Sequence, residues 1–151
     1  MPKLDIASLS PRTGSDYPTP FADLVGKRLR KTLGAAAGLS DFGVNLTELP
    51  PGCWSSQRHW HSEEDECLFV LSGELMLVTA AGEERLVAGD FAAFPKNAPD
   101  GHHVINRSAA GATYLEIGSR SASDICSYPD IDMLGDANGH YVHLDGTPYP
   151  A

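Results

Sequence analysis

Two histidines flank a tryptophan at His59-Trp60-His61, a glutamate follows at Glu66, and an adjacent histidine pair, His102-His103, lies further along the chain. Three imidazoles and one carboxylate make a sound ligand set for a divalent transition metal. Four ligands from the protein leave one or two coordination positions open, as a catalytic ion requires. The ligating nitrogens must be unprotonated, so binding is expected to weaken at low pH. With a divalent ion, Glu66 brings the site's charge to about +1, still attractive to an anionic ligand.

These residues act together only if the elements carrying them converge. In a strand, residues i and i+2 point to the same face. A strand over Gln57–His61 therefore sends His59 and His61 into one interior, with Gln57 beside them as a pocket-lining candidate. The acidic loop Ser62–Asp65 is read as solvated. Glu66 then opens the next strand, and a hairpin can bring its carboxylate alongside the imidazoles. Residues 67–71 are all apolar, which marks the neighbourhood as core. An exposed histidine pair is the competing reading. Against it, a buried cluster of ionisable groups costs several kcal/mol unless it is paired or metal-bound. The third imidazole is His102 or His103, which a strand would point to opposite faces. His102 shares its parity with Val104 and Asn106 and is the preferred ligand.

The 151 residues suit one domain with a single core. Fifteen glycines and eleven prolines imply many turns. A net charge of −9 argues against non-specific nucleic-acid binding. The local basic group Lys27, Arg28, Arg30 and Lys31 reads as charge protecting a strand edge, with a phosphate or partner patch as the alternative. Cys53, Cys67 and Cys126 are odd in number and lack C-x-x-C spacing, so no disulfide framework is expected. The first residues show no signal-peptide pattern, and no apolar run of about 18 residues could span a bilayer. A soluble, cytoplasmic protein is the expectation.

Residues 1–20, with Pro2, Pro11, Pro18 and Pro20, read as an extended arm. Residues 21–120 form the main domain as a string of short strands: Arg28–Leu33, Phe42–Leu46, Gln57–His61, Glu66–Leu71, Glu74–Thr79, Glu84–Val87, Phe91–Phe94, His102–Asn106 and Thr113–Ile117. Ala35–Ala37 can form one helical turn. Residues 121–151 read as an extension packing on that domain, with Tyr128-Pro129-Asp130 as a turn and a last strand over Gly139–Leu144. Strands separated by turns, with no sustained helical period, predict an all-β sandwich or small barrel. Trp54 and Phe94 are expected to pack in it. Tyr114 and Glu116, on the last core strand, are candidates to bind substrate or supply an acid or base.

The segment from Gly52 through His59, His61, Glu66 and Gly73 resembles the first motif of the cupins. Gly89, Pro95, His102 and Asn106 resemble the second. That second motif departs where Asn97 replaces a usual glycine and two further residues precede the histidine. The resemblance implies a double-stranded β-helix, or jelly-roll, barrel. It also implies that His59, His61, Glu66 and His102 hold the metal, which across cupins is iron, manganese, nickel, zinc or copper. A homodimer is implied too, with the N-terminal arm and the Arg28–Leu33 strand as candidates for exchange.

Fold and metal do not select a reaction. The leading expectation is a metal-dependent enzyme for a small oxygenated molecule, acting as a dioxygenase, isomerase or lyase. The alternative is a non-catalytic binding or sensor module for a small ligand. Neither reading involves nucleic acid or a membrane.

Overall fold

The computed structural model describes residues 2–150; Met1 and Ala151 lie outside the described residues. The chain is almost wholly β, as its turn-rich composition predicts. After a 3-10 turn at Ile6–Ser8 come β1 (Leu29–Thr32) and α1 (Leu33–Ala36). There follow β2 (Phe42–Leu49), β3 (Trp60–His61), β4 (Glu66–Ser72), β5 (Glu74–Thr79), β6 (Gly82–Val87) and β7 (Phe91–Phe94). The last strands are β8 (His103–Ile105), β9 (Ala112–Ser119), β10 (Ile125–Tyr128), β11 (Met133–Asp136) and β12 (Tyr141–Val142). They form sheets of order β1-β2-β9-β4-β7, β12-β11-β10-β3 and β6-β5-β8, which together make a jelly roll.

Register explains which side chains face inward. Arg30 pairs with Thr47, Thr47 with Tyr114, and Tyr114 with Val70. Asn45 pairs with Glu116 and Glu116 with Leu68 in the neighbouring row. Thr47, Val70 and Tyr114 are buried to 1% exposure or less, so both rows face the interior. Glu66 shares that inward parity with Leu68 and Val70. The barrel core joins Leu49, Val70, Leu75, Val104, Ala112 and Tyr114. Each such side chain contributes roughly 1.5–3 kcal/mol on burial.

The outer face of the same sheet differs from expectation. Phe69 and Leu71 are 40% and 43% exposed, alongside Phe42, Phe91 and Ile117. The apolar run over residues 67–71 is therefore half core and half surface, because strand side chains alternate whatever their polarity.

The basic group divides by the same rule. Lys27 is exposed, and the Lys31 ammonium reaches the Ile6 carbonyl at 3.1 Å, while Arg28 and Arg30 turn inward. The edge of β1 is covered by the arm, since Arg12 and Arg30 exchange backbone hydrogen bonds of 2.8 and 2.9 Å. Charge is not what protects that edge. The arm thus bonds to its own chain. Residues 121–151 hold two strands, β10 and β11, that the sequence pattern did not predict. Their second small core joins Cys126, Tyr128 and Met133 with Tyr17, Phe21, Tyr141 and Tyr149. Arm and C-terminal segment thus pack on each other.

Candidate metal centre

His61 lies on β3 and is paired through the backbone with Cys126 of β10. His59, just before β3, bridges to His102, just before β8. Glu66 opens β4 opposite Gly118 of β9. Gly118 has no side chain; a Cβ there would touch the Glu66 side chain at 3.5 Å. The result is convergence on one carboxylate. Nε2 of His61 lies 2.8 Å from Glu66 Oε1, while Nε2 of His102 and of His59 lie 2.7 and 3.5 Å from Oε2. Two ligands each about 2.1 Å from one ion stand about 3.0–3.4 Å apart in octahedral or tetrahedral geometry. The distances lie around that range, with His59, Glu66 and His102 forming one donor group within 4.8 Å and His61 meeting the other carboxylate oxygen.

The far nitrogens of His59 and His61 fit the same arrangement, while Nδ1 of His102 is buried without a partner among the described residues. His59 Nδ1 donates to the Gln57 carbonyl at 2.8 Å, and His61 Nδ1 to Asp124 Oδ2 at 2.6 Å. Both bonds place a proton on Nδ1, so Nε2 is the atom each ring would offer a metal. Buried His102 lies flat on Phe94, with ring centroids 3.5 Å apart and planes 1° from parallel. Burial opposes a charge on His61, but Glu66 and Asp124 outweigh it and push the imidazole up to about 9. For His102 burial wins and pulls the value down. Burial would raise Glu66, but the bonds from His102, His59 and His61 hold it well below the ordinary carboxylate range.

His103 points elsewhere. Its Nδ1 bonds the Ser56 carbonyl at 2.8 Å and its ring meets Trp54 edge-on at 4.7 Å. Asn106 is fully buried and structural: Nδ2 donates to the Leu49 and Ala110 carbonyls at 2.7 and 2.8 Å. Asn97 takes φ +56°, the conformation a glycine would supply, and its N–H donates to the His61 carbonyl at 2.8 Å.

Gln57 corrects an expectation. The chain bends through residues 55–58, so the strand parity shared with His59 does not extend back to it. Its amide instead donates to the Phe21 carbonyl at 2.9 Å, and it is not among the cavity-lining residues. Tyr114 and Glu116 do line the cavity, which has a volume of about 350 Å³ and is also walled by the histidines and Glu66. That volume suits a small molecule. Phe94 also lines it, beyond its expected packing role.

The acidic loop is not simply solvated. Glu64 lines the cavity, Oε1 accepting from Ser121 N at 2.9 Å and Oε2 lying 3.8 Å from His61 Nδ1; Asp65 accepts from Lys96 N at 2.8 Å. Burial raises the Glu64 carboxyl.

Asp124, Cys126 and Tyr128 also line the cavity and escaped sequence reading. The signal was present as period-two spacing at 124, 126 and 128, but the strand beneath it went unrecognised. Asp124 is buried and also accepts the Glu63 N–H at 2.9 Å. Asp124→Asn is expected to weaken metal affinity roughly 10–100-fold by loosening His61, as measured by competition with a chromophoric chelator.

All three cysteines are free, with Cys53 and Cys126 buried. Burial raises the Cys126 thiol, and Cys67 is raised less severely by burial and then Glu66. Iodoacetamide at pH 8 is expected to label Cys67 first. Mass mapping that found Cys126 ahead of it would contradict the burial.

A closed β jelly roll with three imidazoles and one carboxylate converging inside it defines a small single-barrel protein with a candidate metal centre. The chain matches the cupin domain family over residues 45–118 and belongs to the cupins. It is 45% identical to a sugar phosphate isomerase from a cupin superfamily, from Silicibacter pomeroyi DSS-3. That match has a TM-score of 0.93 and covers 99% of this chain and 98% of that one. A candidate sugar phosphate isomerase from Acidithiobacillus ferrooxidans is 32% identical at TM-score 0.73, covering 79% and 76% of the two chains. The Endoribonuclease YbeY of Myxococcus xanthus (strain DK1622) is 34% identical over 83 residues, 55% of this chain. The match spans only 26% of that longer protein.

Proposed function

We propose that this cupin is a metal-dependent enzyme of isomerase type, acting on a small anionic hydroxy-carbonyl compound of the sugar phosphate class. His59, His61, Glu66 and His102 hold a divalent transition ion. The carrying observation is the convergence of three Nε2 atoms on the Glu66 carboxylate in the wall of a ligand-sized cavity. The two isomerase-named relatives support the choice of reaction over oxygenation or elimination. When bound, the ion supplies Lewis acidity, polarising a carbonyl oxygen so that a neighbouring C–H becomes acidic.

The chain's own groups do the rest. Glu64 Oε2, left free when Oε1 takes the Ser121 N–H, receives and returns the proton. Tyr114, its hydroxyl pushed well up by burial and Glu116, stays protonated and donates to a substrate oxygen. Phe94, stacked on His102, keeps water off one side of the ligand.

Elemental analysis of the purified protein, followed by incubation with aldose and ketose phosphates in D2O, tests this. Stoichiometric metal with deuterium entering beside the carbonyl supports the reading. A small ligand that co-purifies tightly and emerges unchanged from long incubation would make the protein a binding module. No described helix is long and apolar enough to cross a membrane. Cytoplasmic location and a homodimer belong to the same proposal. The exposed Phe42, Phe69, Phe91 and Ile117 on the outer sheet supply a face for a second copy.

A further inference from the structure

The same cavity is also lined by Arg28, Arg30, Tyr114 and Glu116. Two guanidiniums share a single carboxylate there. Glu116 accepts from Arg30 at 3.2 Å, and Asn45 Nδ2 also reaches it, at 3.4 Å. Arg28 has no carboxylate partner among the described residues; its Nη1 donates to the Ser55 carbonyl. Burial, then the charge on Arg30, pulls the Arg28 guanidinium below its ordinary value. A further donor in the cluster is unspent. Among the described residues Arg30 Nε is buried with no hydrogen-bond partner, and the buried Tyr114 hydroxyl has only the hydroxyl of its cross-strand neighbour Thr47 beside it.

A half-buried guanidinium without a carboxylate partner is partly desolvated at a cost, and buried donors left unpaired cost about 1–3 kcal/mol each. Such groups call for a partner that completes them, an ordered water, an ion or a ligand. The inward parity of residues 28 and 30 on a strand otherwise flanked by outward lysines puts both guanidiniums on one wall. Guanidinium forks match the oxygen pairs of phosphate and carboxylate groups.

We infer that Arg28, Arg30 and the Tyr114 hydroxyl form an oxyanion subsite that grips the phosphoryl or carboxylate end of the ligand in the cavity the metal-ligand cluster shares. The inference deepens the proposed function by naming what orients the substrate. It stands on different residues from the metal centre.

The test is calorimetric titration of inorganic phosphate, and separately of acetate, into metal-stripped protein. There a bound ion cannot capture the anion. Tighter phosphate binding assigns a phosphoryl end, and tighter acetate binding a carboxylate end. Arg28→Gln is expected to weaken the better anion at least tenfold while the refolded variant keeps wild-type metal content. Tyr114→Phe guards against a folding artefact. It removes one hydroxyl, whose neighbour is Thr47, so its thermal midpoint is expected to stay close to wild type while anion affinity falls. Failure of both anions to bind wild-type protein, or undiminished binding by Arg28→Gln and Tyr114→Phe, overturns the subsite. Loss of metal from wild-type protein with anion binding intact would instead count against the proposed metal-dependent activity alone.

Discussion

His61→Ala is expected to leave the purified protein almost free of metal. The substitution removes the Nε2 that stands 2.8 Å from Glu66 Oε1 and leaves buried Asp124 without its 2.6 Å partner. Disturbing only the group behind a ligating histidine costs roughly 10–100-fold in affinity, so removing the imidazole is expected to cost more than about 100-fold. Elemental analysis reads the loss directly, and circular dichroism checks that the barrel persists. His103→Ala provides the contrast. That ring is engaged by the Ser56 carbonyl and Trp54, so the variant is expected to keep its metal. Emptying by His103→Ala but not by His102→Ala would invert the assignment.

Gly73→Ala is expected to be the most damaging conservative change in the barrel. Gly73 makes the turn between β4 and β5 at φ +79°. An added Cβ would stand 2.7 Å from the Gly111 carbonyl oxygen and 2.8 Å from the Ala112 Cα, both backbone atoms that cannot rotate away. The left-handed conformation costs about 1–2 kcal/mol with a side chain, and overpacking adds about 1–3 kcal/mol. A loss of about 3 kcal/mol or more is therefore expected from urea midpoints at unchanged slope. Gly82→Ala is a useful control: it also has positive φ, at +121°, but nothing lies within 4 Å of the added atom. A Gly73 variant no worse than the Gly82 one would show that the turn region yields easily.

Much of the site could be read from spacing because strand geometry translates spacing into direction. His59, His61 and Glu66 were legible from an i, i+2 pair and a short loop. Parity favoured His102 over His103, and the resemblance to the second cupin motif supported that preference. Gln57 misled because period two holds only while the chain stays extended, and residues 55–58 bend. Asn97 looked like a departure from the glycine pattern, yet asparagine tolerates the left-handed region well enough to make the same turn. Asp124 and Cys126 stayed hidden for another reason. Their strand is only four residues long and pairs with a two-residue strand, so alternation had too few positions in which to show itself. Arg28 and Arg30 were visible as charge, but which way they faced depended on the register of β1 against β2.

The pairing of β3 with β10 gives the chain a temporal order. The carboxylate that steadies His61 comes from 63 residues downstream. During synthesis the imidazoles and Glu66 emerge from the ribosome well before Asp124 and its strand. A nascent chain can therefore gather loose donor atoms early but cannot lock them until its final segment threads alongside. In the proposed metal centre, ion capture would thereby be tied to completion of the polypeptide.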